Sequence, residues 1–255
     1  MEPDKFFIIP YRNREYQLEV FINHMTKLLE GENYQLLFIH QKDNRHFNRG
    51  AMKNIGFLYI KDKYPDTYQD KTLIFHDVDC VIVKKEDADF NTKRNFAKHN
   101  FGYKACKRIK ALGGIVTMTS YDFERTKGFL NLWTWGLEDN SLMKRCLGLK
   151  INIDYNSFHP INCREVVSFR HDNKREMNND YTFNNFWKGV NKDNGFKTIK
   201  NLNYTFEKIR DKAYFVNVNS FDPVGEYPII VKNDKPVLKF EDPQVKKYDF
   251  LKSMF

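Results

Sequence analysis

Two aspartates stand one residue apart inside an otherwise apolar stretch, LIFHDVDCVIV at 73–83. Burying an unpaired carboxylate costs several kcal/mol, so either the strand ends at Asp77-Val78-Asp79 or a cation compensates these acids. Such a pair can hold a hard divalent cation against a diphosphate, and the cation then stabilises the departing phosphate. Taken alone, the pattern favours the simpler alternative, in which the two acids cap the next segment.

Three further motifs contain residue types that suit chemistry. His171 ends the run VVSFRH, immediately before a polar stretch, although a lone histidine is more often structural than a ligand. In WTWGLEDN, Glu138 and Asp139 are either acids that compensate a helix dipole or a general base beside an aromatic platform for a sugar ring. YRNR at 11–14 is either a basic surface turn or a contact for a nucleotide phosphate or a uracil edge.

The elements around these motifs predict how they are positioned. Apolar runs at 5–10, 34–40 and 72–79 indicate strands, and the amphipathic segments 14–31 and 47–65 between them indicate helices, the second capped by Asn48. Consecutive strand–helix–strand units predict a largely parallel α/β sheet that binds ligands at the carboxyl ends of its strands. The first half of the chain is therefore predicted to bind a nucleotide.

The second half has a weaker pattern. A β-rich run follows the glycine pair at 113–114, and a helix capped by Asp139 or Asn140 is predicted within 131–150. A short strand is expected at 166–171 and a mobile loop at 172–180, whereas 181–221 has little periodicity. The proline-containing segment 222–255 is predicted to be an irregular tail.

Composition limits the classes of protein that remain. The 255 residues, 41% of them hydrophobic, can form one substantial core. The net charge of +9 suits a polyanionic partner such as a nucleotide, but the lysines are spread along the chain and no nucleic-acid-binding motif is present, so nucleic acid is not predicted. Four scattered cysteines indicate neither a zinc knuckle nor a disulfide framework. With no apolar membrane span and no signal peptide, we expect a soluble, cytoplasmic chain.

The order of the motifs along the chain is more specific than any one of them. It resembles the β-1,4-galactosyltransferase family of inverting, metal-dependent GT-A enzymes over residues 5–221. The similar segments are IIPYRNRE (8–15), FNRGAMKNIGF (47–57), FHDVDCV (75–81), LGGIVTMT (112–119), WTWGLEDN (133–140), FRH (169–171) and NGFKTIKNLNY (194–204).

The resemblance implies a GT-A fold, a UDP-sugar donor, a glycan or glycoconjugate acceptor and Mn²⁺, or alternatively Mg²⁺, as cofactor. Asp139 would be the catalytic base that deprotonates the acceptor hydroxyl. Asp79 and His171 would ligate the metal, with Ser168 as a further candidate ligand. The implied donor-binding residues are Pro10, Arg12, Arg14, Phe47, Arg49, Asp77, Val78, Gly114, Trp135, Gly136 and Glu138, and the implied acceptor-binding residues are Leu137, Asp139 and Asn140.

Several positions depart from the family pattern. Ser168 stands where a methionine ligand is common, and a hard hydroxyl favours Mg²⁺ more than a soft thioether does. Ala111 replaces an aromatic residue beside the donor sugar, so an N-acetylated donor such as UDP-GalNAc is an alternative to UDP-galactose. Leu137 and Asn140 replace residues that grip an N-acetylglucosamine acceptor, which leaves the acceptor open.

The sequence thus predicts an α/β GT-A fold, a single Rossmann-like mixed sheet flanked by helices with an acceptor-binding C-terminal part. We expect a catalytic domain at 1–221, with a nucleotide-binding half at 1–110 and a sugar-binding half at 111–221, and an extension at 222–255 packed on it. Two alternatives remain: a relative of the polypeptide N-acetylgalactosaminyltransferases, and a sugar- or nucleotide-binding protein that has lost catalysis.

Overall fold

The computed structural model describes residues 2–103, 111–169, 182, 184, 186 and 194–223. Its strands are β1 (Lys5–Tyr11), β2 (Tyr34–Gln41), β3 (Thr72–His76), β4 (Cys80–Ile82), β5 (Phe96–Gly102), β6 (Ile115–Thr119), β7 (Asn152–Asp154), β8 (His159–Pro160), β9 (Val166–Ser168), β10 (Ile199–Arg210) and β11 (Ala213–Pro223). Its α-helices are α1 (Glu15–Leu28), α2 (Arg49–Lys63), α3 (Ser120–Arg125) and α4 (Glu138–Gly148).

One mixed sheet organises the described part of the chain, in the order β10-β11-β2-β1-β3-β6-β5-β7, with β8 beside β5. Strand β1 pairs in parallel with β2 and β3, and β11 is parallel to β2. Strand β6 runs antiparallel to β3 and β5, so the sheet is less uniformly parallel than the first half of the sequence suggests. A separate antiparallel pair joins β4 to β9.

The central strands are buried on both faces, which explains their continuous apolar runs. One core cluster contains Phe6, Ile8 and the buried side of α2, and the other contains Phe7, Ile9 and the buried side of α1. The predicted N-cap of α2 is confirmed, because the Asn48 side chain accepts a hydrogen bond of 2.9 Å from the Ala51 amide.

The first of the two options for Asp77-Val78-Asp79 is the one observed. Strand β3 ends at His76 and β4 begins at Cys80, so both aspartates lie in the connection between two short strands. Val78 is buried in the core at 7% exposure, whereas Asp77 and Asp79 are half-buried. The apolar residue thus anchors a turn that carries an acid on each side.

The predicted N-cap of α4 is wrong. The helix begins at Glu138 with Leu137 in the cap position, and Asp139 and Asn140 lie in its first turn. Gly136 and Leu137 have positive φ angles of 109° and 65°, and the Gly136 amide donates to the Glu138 carboxylate at 3.1 Å. This left-handed turn, which the sequence does not reveal, starts the helix two to three residues earlier than predicted.

A long hairpin, β10–β11, occupies one edge of the sheet where the sequence has little periodicity. Most of β10 is exposed, so its sequence lacks the apolar alternation of a half-buried strand. The predicted extension at 222–255 starts inside β11, and residues 224–255 lie outside the described residues, as do 170–181. No helix in the described ranges has the length and apolar character needed to cross a membrane.

Candidate active site

The first strand delivers its basic turn to one edge of the sheet. Pro10 is buried within β1, opposite Ile39. The Arg12 guanidinium follows the strand, donates to the Arg45 carbonyl at 2.6 Å and lies 5.6 Å from the centre of the Phe47 ring. Arg14 occupies the N-cap position of α1. Three of the predicted nucleotide-binding residues, Arg12, Arg14 and Phe47, therefore surround the ends of neighbouring strands.

An open pocket of about 220 Å³ lies beside Arg12. It is lined by Arg12, Asn13, His40, Gln41, Lys42, Asp43 and Asn44, all from the segments that follow or end β1 and β2. Burial lowers the pKa of His40, so its imidazole is held in the neutral form that can accept as well as donate a hydrogen bond. The pocket therefore offers both donors and acceptors of hydrogen bonds from its polar side chains.

Gln41 is a site residue that the sequence reading missed. Its fully buried side chain donates to Asp43 at 2.7 Å and to the His46 carbonyl at 3.0 Å, and accepts from the Asn48 amide at 2.8 Å. These bonds fix the loop between β2 and α2. The available signal was a polar amide at the end of an otherwise apolar strand.

Arg49, the first residue of α2, brings together three predicted acids from separate parts of the chain. Its guanidinium donates to Asp77, to Glu138 at 2.7 Å and to Asp139 at 3.3 Å. Burial by itself lowers the pKa of Arg49, but its three carboxylate partners outweigh this and raise that pKa well above its usual range. The strand-end acids and the helix-start acids therefore belong to one site.

Lys53 is a second cation of this site that the sequence reading missed. It follows Arg49 by four residues, so both side chains leave the same face of α2. Its ammonium is 2.7 Å from Asp139 Oδ1, and the residue is 2% exposed. A lysine at helical spacing from Arg49, on an otherwise apolar helix face, was the signal in the sequence.

Glu138 is the most deeply buried acid of the cluster, at 3% exposure. Burial, followed by the neighbouring Asp139 charge, raises its pKa, while Arg49 and Lys53 oppose that rise. One carboxylate oxygen accepts from Arg49 and the other from the Gly136 amide. Glu138 therefore fixes the turn that carries Trp135 and Gly136 in addition to compensating Arg49.

The glycine pair before β6 allows the chain to pass close to Asp139. A Cβ atom on Gly113 would lie 2.5 Å from Asp139 Oδ2, and the Leu112 amide donates to the Asp139 carbonyl at 3.1 Å. Gly114 has a φ of 79°, a backbone conformation that residues other than glycine rarely adopt. The pair thus makes room for the Asp139 carboxylate, whose Oδ2 accepts from Arg49 and whose Oδ1 accepts from Lys53.

The segment before α4 is held from several sides. The Asn54 side chain bonds to both main-chain groups of Phe129, at 2.8 and 2.9 Å. Asn131 donates to the Gly195 carbonyl at 2.8 Å, and Arg145 donates to the Gly128 carbonyl at 2.6 Å. Trp135 stands at the end of this segment and is 38% exposed. An exposed tryptophan on a fixed backbone offers a face on which a sugar ring can stack.

The strand pair β4–β9 brings Asp79 beside the predicted metal-binding segment. Ser168 is opposite Cys80, and the Phe169 amide donates to the Asp79 carbonyl at 2.9 Å. One carboxylate oxygen of Asp79 is buried. His171 follows Phe169 by two residues and lies outside the described residues. The carboxylate and the hydroxyl are oxygen ligands of the kind that Mn²⁺ and Mg²⁺ prefer.

A second group of ligand-type side chains lies at the opposite end of this strand pair. His159, Cys163 and Glu165 place potential ligand atoms within 4.8 Å of one another. Burial raises the pKa of the Cys163 thiol, which disfavours the thiolate that a metal requires. The predicted metal ligands are not among these residues.

Comparison with known proteins identifies the family. Residues 4–92 match the N-terminal region of glycosyl transferase group 7, and residues 93–172 match a family described as the N-terminal domain of galactosyltransferase. The two matches together span about two thirds of the chain and contain every cluster residue named above. The chain belongs to the β-1,4-galactosyltransferase family.

Individual relatives agree with this assignment. The chain is 31% identical over 182 residues to the Caenorhabditis elegans xylosylprotein 4-beta-galactosyltransferase, a match of 69% of this chain and 60% of that one. It is 32% identical over 148 residues to Cricetulus griseus beta-1,4-galactosyltransferase 4, covering 54% of this chain and 41% of that one. It thus spans 60% or less of the length of these relatives.

The fold prediction is confirmed by a solved structure. The catalytic domain of Drosophila β-1,4-galactosyltransferase 7, in complex with xylobiose, has a TM-score of 0.64 and 22% identity, and the match covers 85% of this chain and 93% of that one. A further structure of that Drosophila protein, a mutant, was solved with manganese, UDP-Gal and xylobiose. This galactosyltransferase-family chain therefore has a GT-A fold, with a mixed nine-stranded sheet among its described residues.

Proposed function

We propose that this chain is an inverting, metal-dependent glycosyltransferase. It transfers galactose, or a related hexose or N-acetylhexosamine, from a UDP-sugar to a hydroxyl of a glycan or glycoconjugate. The observation that carries the proposal is the Arg49 cluster, in which one guanidinium joins Asp77 at the end of β3 to Glu138 and Asp139 at the start of α4. This contact links the nucleotide-binding edge to the sugar-binding segment.

The nucleotide binds at the ends of β1, β2 and β3. Arg12 and Phe47 provide a cation and an aromatic face beside the open pocket, and Arg14 stands at the N-cap of α1. Asp77 and the backbone at Val78 lie at the end of β3. Ligands of open α/β sheets bind at this carboxyl edge of the strands.

Asp79, His171 and Ser168 would hold the metal ion. When bound, the ion neutralises the diphosphate charge and stabilises the departing UDP. The hydrogen bond from the Phe169 amide to the Asp79 carbonyl supports this assignment, because it joins the segment before His171 to the residue that provides the proposed carboxylate ligand. The Drosophila neighbour that was solved with manganese and UDP-Gal supports the choice of Mn²⁺ and of a UDP-sugar donor.

Asp139 is the proposed base. Its carboxylate takes the proton of the acceptor hydroxyl while the acceptor oxygen bonds to the anomeric carbon and the bond from that carbon to the phosphate oxygen breaks. UDP departs with the bonding electrons, and a single in-line displacement inverts the anomeric centre. Gly114, Trp135, Gly136 and Glu138 surround the donor sugar, and Leu137, Asp139 and Asn140 face the acceptor.

A xyloside is the first acceptor to test. One relative is named a xylosylprotein galactosyltransferase, and the structural neighbour was solved with xylobiose. The domain boundaries belong to the same proposal: the catalytic domain runs to the end of β11 at Pro223 rather than to 221, and the rest of the expected extension lies outside the described residues.

The experiment is a thermal-shift screen of UDP-sugars with and without Mn²⁺, followed by a transfer assay of the stabilising donor on β-xylosides and N-acetylglucosaminides. A ligand that binds only the native state raises the melting temperature. We expect stabilisation that requires Mn²⁺, and a product of inverted configuration. A product of retained configuration would favour the polypeptide N-acetylgalactosaminyltransferase alternative, and binding without UDP release would favour an inactive binding protein.

A further inference from the structure

Lys53 is a buried cation that has no role in the proposed reaction described above. It is 2% exposed, and its ammonium lies 2.7 Å from Asp139 Oδ1 and 4.3 Å from the centre of the Phe129 ring. A buried ammonium costs several kcal/mol unless a carboxylate or an aromatic face compensates it. Lys53 therefore depends on Asp139 and the Phe129 ring for the compensation of its charge.

The two cations of the cluster divide their partners unequally. Arg49 is shared among Asp77, Glu138 and Asp139, and its contact with Asp139 is the longer one, at 3.3 Å. Lys53 makes its described ion pair with Asp139 alone. The shorter of the two contacts of Asp139 is therefore the one with Lys53, at 2.7 Å, and the longer is the one with Arg49.

The two oxygens of Asp139 have different surroundings. Oδ1 accepts from Lys53 at 2.7 Å, whereas Oδ2 accepts from Arg49 at 3.3 Å and packs against Gly113, where a Cβ atom would come within 2.5 Å. The short contact at Oδ1 is the stronger of the two anchors. Lys53 on Oδ1 therefore fixes the orientation in which the carboxylate lies against Gly113.

We propose that Lys53 is a positioning residue for transfer, which anchors Oδ1 of Asp139 and so holds the carboxylate in the orientation that receives the acceptor proton. This inference rests on the proposed function. It adds that the base works as a lysine–aspartate pair, and it gives a role to a side chain that the family resemblance leaves without one.

The test compares Lys53→Met with Lys61→Met in kinetics and in stability. Lys61 is the matched control, since it lies on the same helix and pairs with a single carboxylate, Glu124, but is 40% exposed at its side chain. Removing one member of a buried ion pair lowers the free energy of unfolding by about 3–5 kcal/mol, so a Lys53→Gln variant, which keeps a hydrogen-bond donor, provides the test if Lys53→Met does not fold.

We expect Lys53→Met to lower kcat for transfer about 10- to 100-fold, because misplacing a catalytic group by about 1 Å costs rates of that order. The KM for the UDP-sugar should change by less than about twofold, and Lys61→Met should match the wild type. Lys53→Gln should recover part of the lost kcat, since its amide can still bond to Oδ1.

A double-mutant cycle separates this role from a structural one. If Lys53 acts through Asp139, then Lys53→Met should cost no further activity in an Asp139→Asn background. Equal losses in both backgrounds, or wild-type kcat in folded Lys53→Met, would overturn the inference while leaving the transferase intact. A wild-type chain that transfers no sugar to any acceptor would instead overturn the proposed function, and the inference with it.

Discussion

The turn at Asp77-Val78-Asp79 and the start of α4 at Glu138 and Asp139 each place two carboxylates within three residues, but the chain compensates them differently. At α4 the positive charge comes from within the protein, because Arg49 and Lys53 leave one face of α2 and contact both acids. At the strand end Arg49 reaches Asp77, whereas we propose that Asp79 receives its positive charge from a metal ion.

This difference explains how one site can separate two tasks. Acids with fixed internal cations keep a constant geometry, as positioning a base against an acceptor requires. The negative charge of an acid that relies on an exchangeable ion is compensated only while that ion is bound, together with the diphosphate. Arg49 contacts both regions, so in the proposed mechanism it would couple donor binding to acceptor activation.

The largest effect should come from the helix start. Asp139→Asn removes the proposed proton acceptor while keeping side-chain volume, so transfer should fall about 10²–10⁴-fold. Donor affinity, measured by calorimetry, should stay within about threefold of the wild type because the strand-end acids are unchanged. A variant with normal turnover would show that another group is the base.

Removing Arg49 should break both regions at once. Arg49→Met leaves three buried or half-buried carboxylates without their common cation, which should lower the free energy of unfolding by about 3–5 kcal/mol. The matched control is Arg94→Met, whose exposed pair with Asp70 should contribute less than about 1 kcal/mol. Urea titrations of the two variants measure the difference, and equal losses would contradict a shared buried cluster.

The end of β3 should also make the stability of the protein depend on pH, through His76. Burial lowers the pKa of His76 from 6.5 to about 4, beside its hydrogen bond to the Asp77 carbonyl. The unfolded chain binds this proton first, so the stability that neutral His76 contributes is complete above about pH 6.5 and is lost as the pH falls towards 4, by about 3 kcal/mol at most. Unfolding free energies measured between pH 7 and 4 should therefore decline less steeply in His76→Phe, and parallel curves would contradict the assignment.

A smaller change sharpens the role of the helix start. Gly113→Ala places a methyl group against Asp139 Oδ2, so transfer should fall about 10-fold, a loss of about 1.4 kcal/mol in transition-state stabilisation. Gly148→Ala at the end of α4 is the control, since a Cβ atom there meets nothing within 4 Å. It should keep full activity and gain up to about 1 kcal/mol in stability. Equal kinetics in the two variants would show that the space beside Oδ2 is not needed.

The residues at the ends of strands and helices were predictable from the sequence. Apolar runs mark the strands, and the polar residues that follow each run mark where the strand ends. This reasoning identified β1, β2, β3, the Asn48 cap and the acids that meet at Arg49. The family resemblance then implied a role for each acid. Those roles came from the order of the motifs along the chain and not from any distance within the site.

Other features depend on contacts distant in sequence. The start of α4 is set by a left-handed turn at Gly136 and Leu137 that a capping rule does not anticipate. The exposed edge strand β10 has no apolar alternation that would reveal it. Lys53 lies on an otherwise apolar helix face, but its partner Asp139 is 86 residues away, so the ion pair could not be predicted from local pattern alone.

Metal-assisted donor binding at Asp79 is the central requirement of the proposed function. Titration of UDP-galactose into the wild type and into Asp79→Ala, each with and without Mn²⁺, measures it directly by calorimetry. We predict that Mn²⁺ tightens binding to the wild type at least about 10-fold, or about 1.4 kcal/mol, and leaves binding to Asp79→Ala unchanged. Equal enhancement by Mn²⁺ in both proteins would contradict the account.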